Sequence, residues 1–386
     1  MKKIIILLTF NLVCFFGIAQ VGYGPWANCI QTIGDYNPVT AANGGFGSKV
    51  SINGDYALIS AAGGAYIYHF NGTTWDQQQF LACGAASSLC IFGNRAIIGQ
   101  IVDVNGHHNQ GKAIIYQLNN ATWSQQAEVT GSDGAIQDFF GISVAIEGDN
   151  AIVGASYKNN QAGEAYIFHY DGSNWVQQQI LSATTPQPLG LFGSGVAISG
   201  NRALVAAFQT SRTGVVFAFE YRQPHIPGSP LTWLAIQMIT PPDGVLGDVF
   251  GYGLAVSGTT AIIGAPQKKI NSISRGKVYI YAIGGRANTW QYQDAFSVAE
   301  SDFNGFGTTV GISGNYAIAS LEPLIPTSPP ASAYIFQNVG GIWRQYQKVT
   351  DPRGSSISNV AISDRRFVVT GTSNNTGIVI FGKILP

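Results

Sequence analysis

The sequence repeats itself, and a repeat constrains a fold more than any single residue does. The stretch FGISVAIEGDNAIVGA begins at Phe140 and returns as FGSGVAISGNRALVAA from Phe192, FGYGLAVSGTTAIIGA from Phe250 and FGTTVGISGNYAIASL from Phe306. FGSKVSINGDYALISA from Phe46 lies upstream. Weaker copies near Ser87 (SSLCIFGNRAIIGQ) and Ser355 (SSISNVAISDRRFVVTG) bring the count to seven.

Each copy has one internal order. In the third, Val144-Ala145-Ile146 is a short β run, Gly148-Asp149-Asn150 a turn, and Ala151 to Ala155 a second run. A polar loop, Ser156 to Ala162, precedes EAYIFHY from Glu164, whose β-branched and aromatic residues favour a strand. Asp171-Gly172 turns the chain, and Asn174 to Ile180 supplies a fourth strand. No helical periodicity competes with this reading. Tryptophans mark the fourth strand at Trp26, Trp75, Trp123, Trp175, Trp233, Trp290 and Trp343.

The phase of the repeat at its two ends predicts closure. Trp26 precedes the first unit, while the last unit stops at IVIFGKILP without a tryptophan strand. If the Trp26 strand completes the final sheet, seven sheets close into a ring and no edge is left open. The expected fold is all-β, a seven-bladed β-propeller of four-stranded antiparallel blades. Gly141, Gly193, Gly251 and Gly307 are expected to allow close backbone approach or positive φ. The Phe beside each is expected to pack on the adjoining blade, and the tryptophans to form an outer interblade core.

Residues 1–19, with Lys2 and Lys3 ahead of an apolar run ending at Ala19, read as a secretory signal peptide. Val13 before Cys14 is not a lipobox. Residues 20–386 are then one exported propeller, secreted to the periplasm, cell surface or medium, with no membrane span and acting as a monomer. Only 10% of residues are charged and the formal net charge is zero, so no basic stripe exists to follow nucleic acid. Cys83 and Cys90, with the six residues GAASSL between them, are expected to form a disulfide bond, with Cys29 buried or paired instead with one of them.

The units resemble the FG-GAP repeat, also found in the propeller heads of integrin α chains, and look most like its bacterial form. Ser132-Asp133-Gly134 with Asp138-Phe139-Phe140-Gly141, Asp243-Gly244 with Asp248-Val249-Phe250-Gly251, and AIIGAP from Ala261 carry the resemblance, which runs from about residue 26 to 386. The second unit departs most, with Leu89 and Cys90 and no FG pair. The resemblance implies extracellular binding or cell adhesion, and in some members calcium.

The residues themselves offer little chemistry. The pairs Asp133/Asp138 and Asp243/Asp248 lack the acidic density of a calcium loop, and Asp302-Phe303-Asn304-Gly305 is the nearest fragment to one. They read as turn caps, with weak calcium binding as the alternative. A catalytic carboxylate pair is needed once, and this one recurs. His69 and His169 hold matching strand positions and read as hydrogen-bonding groups. His107 and His108 lie with Asp103 in a polar loop, with transition-metal binding as the lesser reading. His225 stands alone in RQPHIPGSP. No catalytic, cofactor or metal residue is assigned.

Five longer connections carry more promise: Ser156 to Gly163, Gln209 to Gly214, Arg222 to Pro230, Gln267 to Gly276 and Glu322 to Pro330. The expectation is a non-enzymatic adhesion propeller that recognises a protein or surface glycan through rim loops. The alternatives are a structural module of an extracellular assembly and, behind it, a hydrolase with its site at the channel mouth.

Overall fold

A computed structural model describes residues 28–34 and 45–384, except 187–188, 209–212, 225, 227, 286–287, 299–304, 323–330, 351–355 and 374–375. Residues 1–19, Trp26, His225, Asp302 and Asn304 therefore lie outside the described residues, as does the side chain of Cys29.

Among the described residues, seven four-stranded antiparallel sheets form the ring, and a two-stranded ribbon pairs Lys269–Ile270 with Ile273–Ser274. Six are continuous in sequence: residues 50–82, 88–129, 140–181, 192–239, 254–296 and 310–350 form blades 1 to 6. Blade 7 takes three strands from residues 356–383 and its fourth from Asn28–Gly34, which pairs antiparallel with Thr376–Lys383. The first strands of successive blades touch all the way round, blade 7 against blade 1 included. These strands line the axis, and the ring is closed as the phase of the repeat predicts.

Seven apolar clusters fill the seven interfaces, and strand alternation builds them. In blade 3, Val144, Ile146, Val153, Tyr166 and Phe168 face blade 2, whereas Ala145, Ile152, Ala165 and Ile167 face blade 4. Each described tryptophan reaches back into the preceding blade: Trp123 into blade 1, Trp175 into blade 2, Trp233 into blade 3. Trp75 stacks on Phe381 of blade 7, with ring centroids 4.5 Å apart, so ring closure uses the same packing as every other interface.

Where a glycine stands in both places, the FG pair of one blade locks onto the end of the second strand of the blade before it. The Gly193 backbone has φ +87° and its carbonyl packs onto the Cα of Gly154, leaving no room for a side chain at either position. Gly307 and Gly264 repeat this between blades 5 and 6.

Polar contacts bind the tight-turn end of the ring. The last residue of one inner strand accepts from the first turn of the next blade: Gly93 N–H donates to Asn53 Oδ1 (2.9 Å), Gly258 N–H to Ser199 Oγ (3.0 Å), and Gly54 N–H to Ser363 Oγ (2.9 Å). Phe92 cannot accept at the equivalent place between blades 2 and 3. There Arg95, buried over the rings of Tyr170 and Trp175, donates to the Gly148 carbonyl (2.9 Å) and pairs with Asp149 (2.9 Å).

The expected Cys83–Cys90 disulfide does not form: both are free thiols. Cys83 follows the outer strand of blade 1, which ends at Ala82, and packs against the cluster between blades 1 and 2. Cys90 lies in the inner strand of blade 2 and faces blade 3. The sheet of blade 2 stands between them, and burial pushes both thiols above their ordinary pKa, which keeps them protonated and unreactive.

Candidate functional site on the loop face

Antiparallel strands sort the connections onto two faces. The turns joining the first and second strands, and those joining the third and fourth, leave from one end of each blade. The connections between second and third strands, and those between blades, leave from the other. The first face is mostly tight turns such as Gly148-Asp149 and Asn120-Ala121. The second carries four of the five longer connections singled out in the sequence. Arg222 to Pro230 joins the third and fourth strands of blade 4 and so lies on the opposite face.

Exposed apolar side chains gather on the loop face. Ile136, Tyr157, Leu189, Val245, Leu246, Tyr252 and Ile273 are exposed on an arc over blades 3 to 5, and Leu246 is 77% exposed. Those of the tight-turn face, such as Phe92, Leu231 and Val339, are scattered over blades 2, 4 and 6. Successive loops brace one another: Gln137 N–H donates to the His108 carbonyl (2.9 Å), Leu191 N–H to that of Gln161 (2.8 Å), and Phe250 N–H to that of Thr213 (2.8 Å).

The repeated acid pairs lie under this arc, and a lysine sits between the members of each. Lys158 Nζ is 3.1 Å from Asp138 Oδ2 and 3.3 Å from Asp133 Oδ2, and donates to the Asp133 carbonyl (2.7 Å). Lys268 Nζ is 3.0 Å from Asp248 Oδ2 and 3.8 Å from Asp243 Oδ2, and donates to the Asp243 carbonyl. Both lysines are buried, at 5% and 6% exposure, as are Asp138 and Asp248. Each buried carboxylate also caps its own turn, taking the N–H of Ala135 (2.6 Å) or Val245 (2.8 Å). The turn-cap reading therefore holds for Asp138 and Asp248, whereas the Asp133 and Asp243 carboxylates take a tyrosine and a lysine, and the lysines are absent from that reading. Aligning the units would have found them, since Lys158 and Lys268 each lie 20 residues beyond their buried aspartate.

Burial alone would lower the Lys158 pKa, but the bonds and charges of Asp138 and Asp133 outweigh it and hold the ammonium above its ordinary value. Tyr166 and Tyr279 donate to Asp133 Oδ1 (2.8 Å) and Asp243 Oδ1 (2.7 Å), fixing the outer acid of each pair. The two sites differ at one place. Glu164 begins the third strand of blade 3 and shares the Tyr166 hydroxyl (2.9 Å), whereas Lys277 begins that of blade 5 and pairs with Asp243 (2.8 Å).

Of the two matching strand histidines, His169 comes to rest as a hydrogen-bonding group and His69 against an aromatic ring. His169 Nδ1 lies 2.9 Å from Asn150 Oδ1, and His69 packs on the Tyr56 ring. His108 Nδ1 is 2.9 Å from Asp103 Oδ1 at the surface, and among the described residues no three His, Cys, Asp or Glu side chains are placed to hold a metal. The described tryptophans are buried, so none offers an exposed ring to a surface glycan.

Two stretches match the FG-GAP repeat family, residues 123–168 and 233–281. Each runs from the outer strand of one blade to the third strand of the next, so the FG-GAP unit is an interface rather than a blade. The chain is a β-propeller related to FG-GAP repeats. No curated protein gives a significant match. Among solved structures, the β-propeller domain of Myceliophteria thermophila Cps50 (Swd1) is similar, with TM-score 0.59 and 11% identity over 93% of this chain and all of that one. This comparison corrects the address given above. The likeness is one of fold and gives the expected secretion and cell adhesion no support, so both assignments are withdrawn.

Proposed function

We propose that this chain is a non-enzymatic scaffold that binds a protein partner through the loop face of blades 3 to 5. This is the assembly-module alternative, without the extracellular setting. The observation that carries it is the arc of seven exposed large apolar side chains on loops tied to one another and to the ring. Apolar area of this kind, held on a rigid frame, is what a protein interface uses at its centre. The blades outside the two matched stretches are read as FG-GAP units too, since Phe46, Phe192 and Phe306 are buried at the same seam.

Affinity capture from the native source, compared between variants, tests this. A partner retained by wild type and by Leu231→Glu on the opposite face, but lost with Leu246→Glu, is the expected result. Retention by Leu246→Glu and Val245→Glu alike would overturn it.

A further inference from the structure

We propose that Lys158 and Lys268 are tethered cations: each ammonium takes the place a divalent ion would hold between two loop carboxylates, making this face independent of metal. Calcium needs about six to eight oxygen ligands. Around Lys158 Nζ stand three close oxygens, the Asp133 carbonyl, Asp133 Oδ2 and Asp138 Oδ2, which match the three N–H donors of an ammonium. The chain's own comparisons agree. Two residues before the buried Phe stand Asp138 and Asp248 in the blades that carry the lysine. Where blades 1 and 4 have no lysine, Gly44 and Gly190 occupy that place, and Asn304 does so in blade 6. Among these blades, an aspartate stands at that place only where the lysine does. The lysine joins the connection entering each blade to the one between its second and third strands, so it ties the loops that present Ile136 and Tyr157 in blade 3, and those that present Val245, Leu246 and Ile273 in blade 5.

The test follows thermal unfolding of four proteins in calcium and in chelator, with terbium luminescence sensitised by tyrosine as a direct metal readout. Wild type is expected to melt at the same temperature in both buffers and to give no saturable terbium signal. Lys158→Met leaves two uncompensated carboxylates beside Glu164. It is expected to melt lower in chelator, to recover with calcium and to bind terbium next to Tyr166. Lys268→Met repeats the test at blade 5, should the first variant fold poorly. The double variant Asp138→Asn/Lys158→Met is expected to regain most of the lost stability and to ignore metal. A calcium-dependent wild type would overturn the proposal. So would indifference of both lysine variants to metal, or failure of both to fold in calcium.

Discussion

At the residue scale, the sharpest contrast is between Glu164 and Lys277, which occupy the same place in two blades. Burial first, and then the neighbouring Asp133 charge, raise the Glu164 pKa above its ordinary 4.5 despite hydrogen bonds from Tyr166 and Asn159 and the charge of Lys158. A carboxyl whose folded pKa is raised holds its proton longer in the folded state, so stability falls as pH rises from 4.5 through the folded value. Glu164→Gln is therefore expected to melt higher than wild type at pH 7 and to match it below pH 4, which scans across pH will show. Asp243 behaves oppositely. Its burial would raise the pKa, but Lys277, Tyr279 and Lys268 bring it below 3.8, so its contribution is present above that value and is lost as pH falls through the lower folded one. The lysine contribution at blade 3 lies at the other end of the scale, complete below 10.5 and lost as pH rises through the higher folded value.

At the element scale, the outer strands explain a pattern that the sequence shows without a reason. Their glutamine runs, such as Gln177-Gln178-Gln179, carry a β-bulge in blades 1 to 6 that falls three residues after the tryptophan. Consecutive strand residues ordinarily point to opposite faces, but a bulge lets two neighbours face the same way. Gln178 accepts from Trp233 Nε1 (2.9 Å), while Gln179 accepts from Trp233 N–H (2.8 Å) and donates to its carbonyl (2.9 Å). Gln79 holds Trp123 and Gln237 holds Trp290 in the same two-point clamp. Gln179→Met keeps the bulk and removes the clamp. It is expected to cost about 1–3 kcal/mol for each Trp233 backbone group left unpaired, measured by urea unfolding. The strands, the ring phase and the tryptophan core were legible in the sequence because each depends on local alternation repeated seven times. The bulge, the lysine partners and the separation of Cys83 from Cys90 were not, because each depends on which face of a sheet a residue takes once its neighbours are in place.

At the scale of the whole molecule, closure rests on one short strand. Asn28–Gly34 completes blade 7, and the seam from blade 7 to blade 1 adds Arg366, which lies over the Phe70 ring, pairs with Asp55 (2.7 Å) and donates to the Gly54 carbonyl (3.2 Å). A chain lacking residues 1–34 retains six complete blades and a three-stranded seventh. It is expected to unfold at lower denaturant and to show early hydrogen exchange in Thr376–Lys383, measured by mass spectrometry. The same strand also sets the order of events during synthesis. It is made before any blade, yet its partner, Thr376–Lys383, is the last of the ring's described strands in chain order. Blades 1 to 6 can pair locally as they emerge, whereas the ring stays open until translation has passed its final strand. An early stall would therefore release an open array with two unpaired edges, a form that quality-control proteases and chaperones can distinguish from the finished ring.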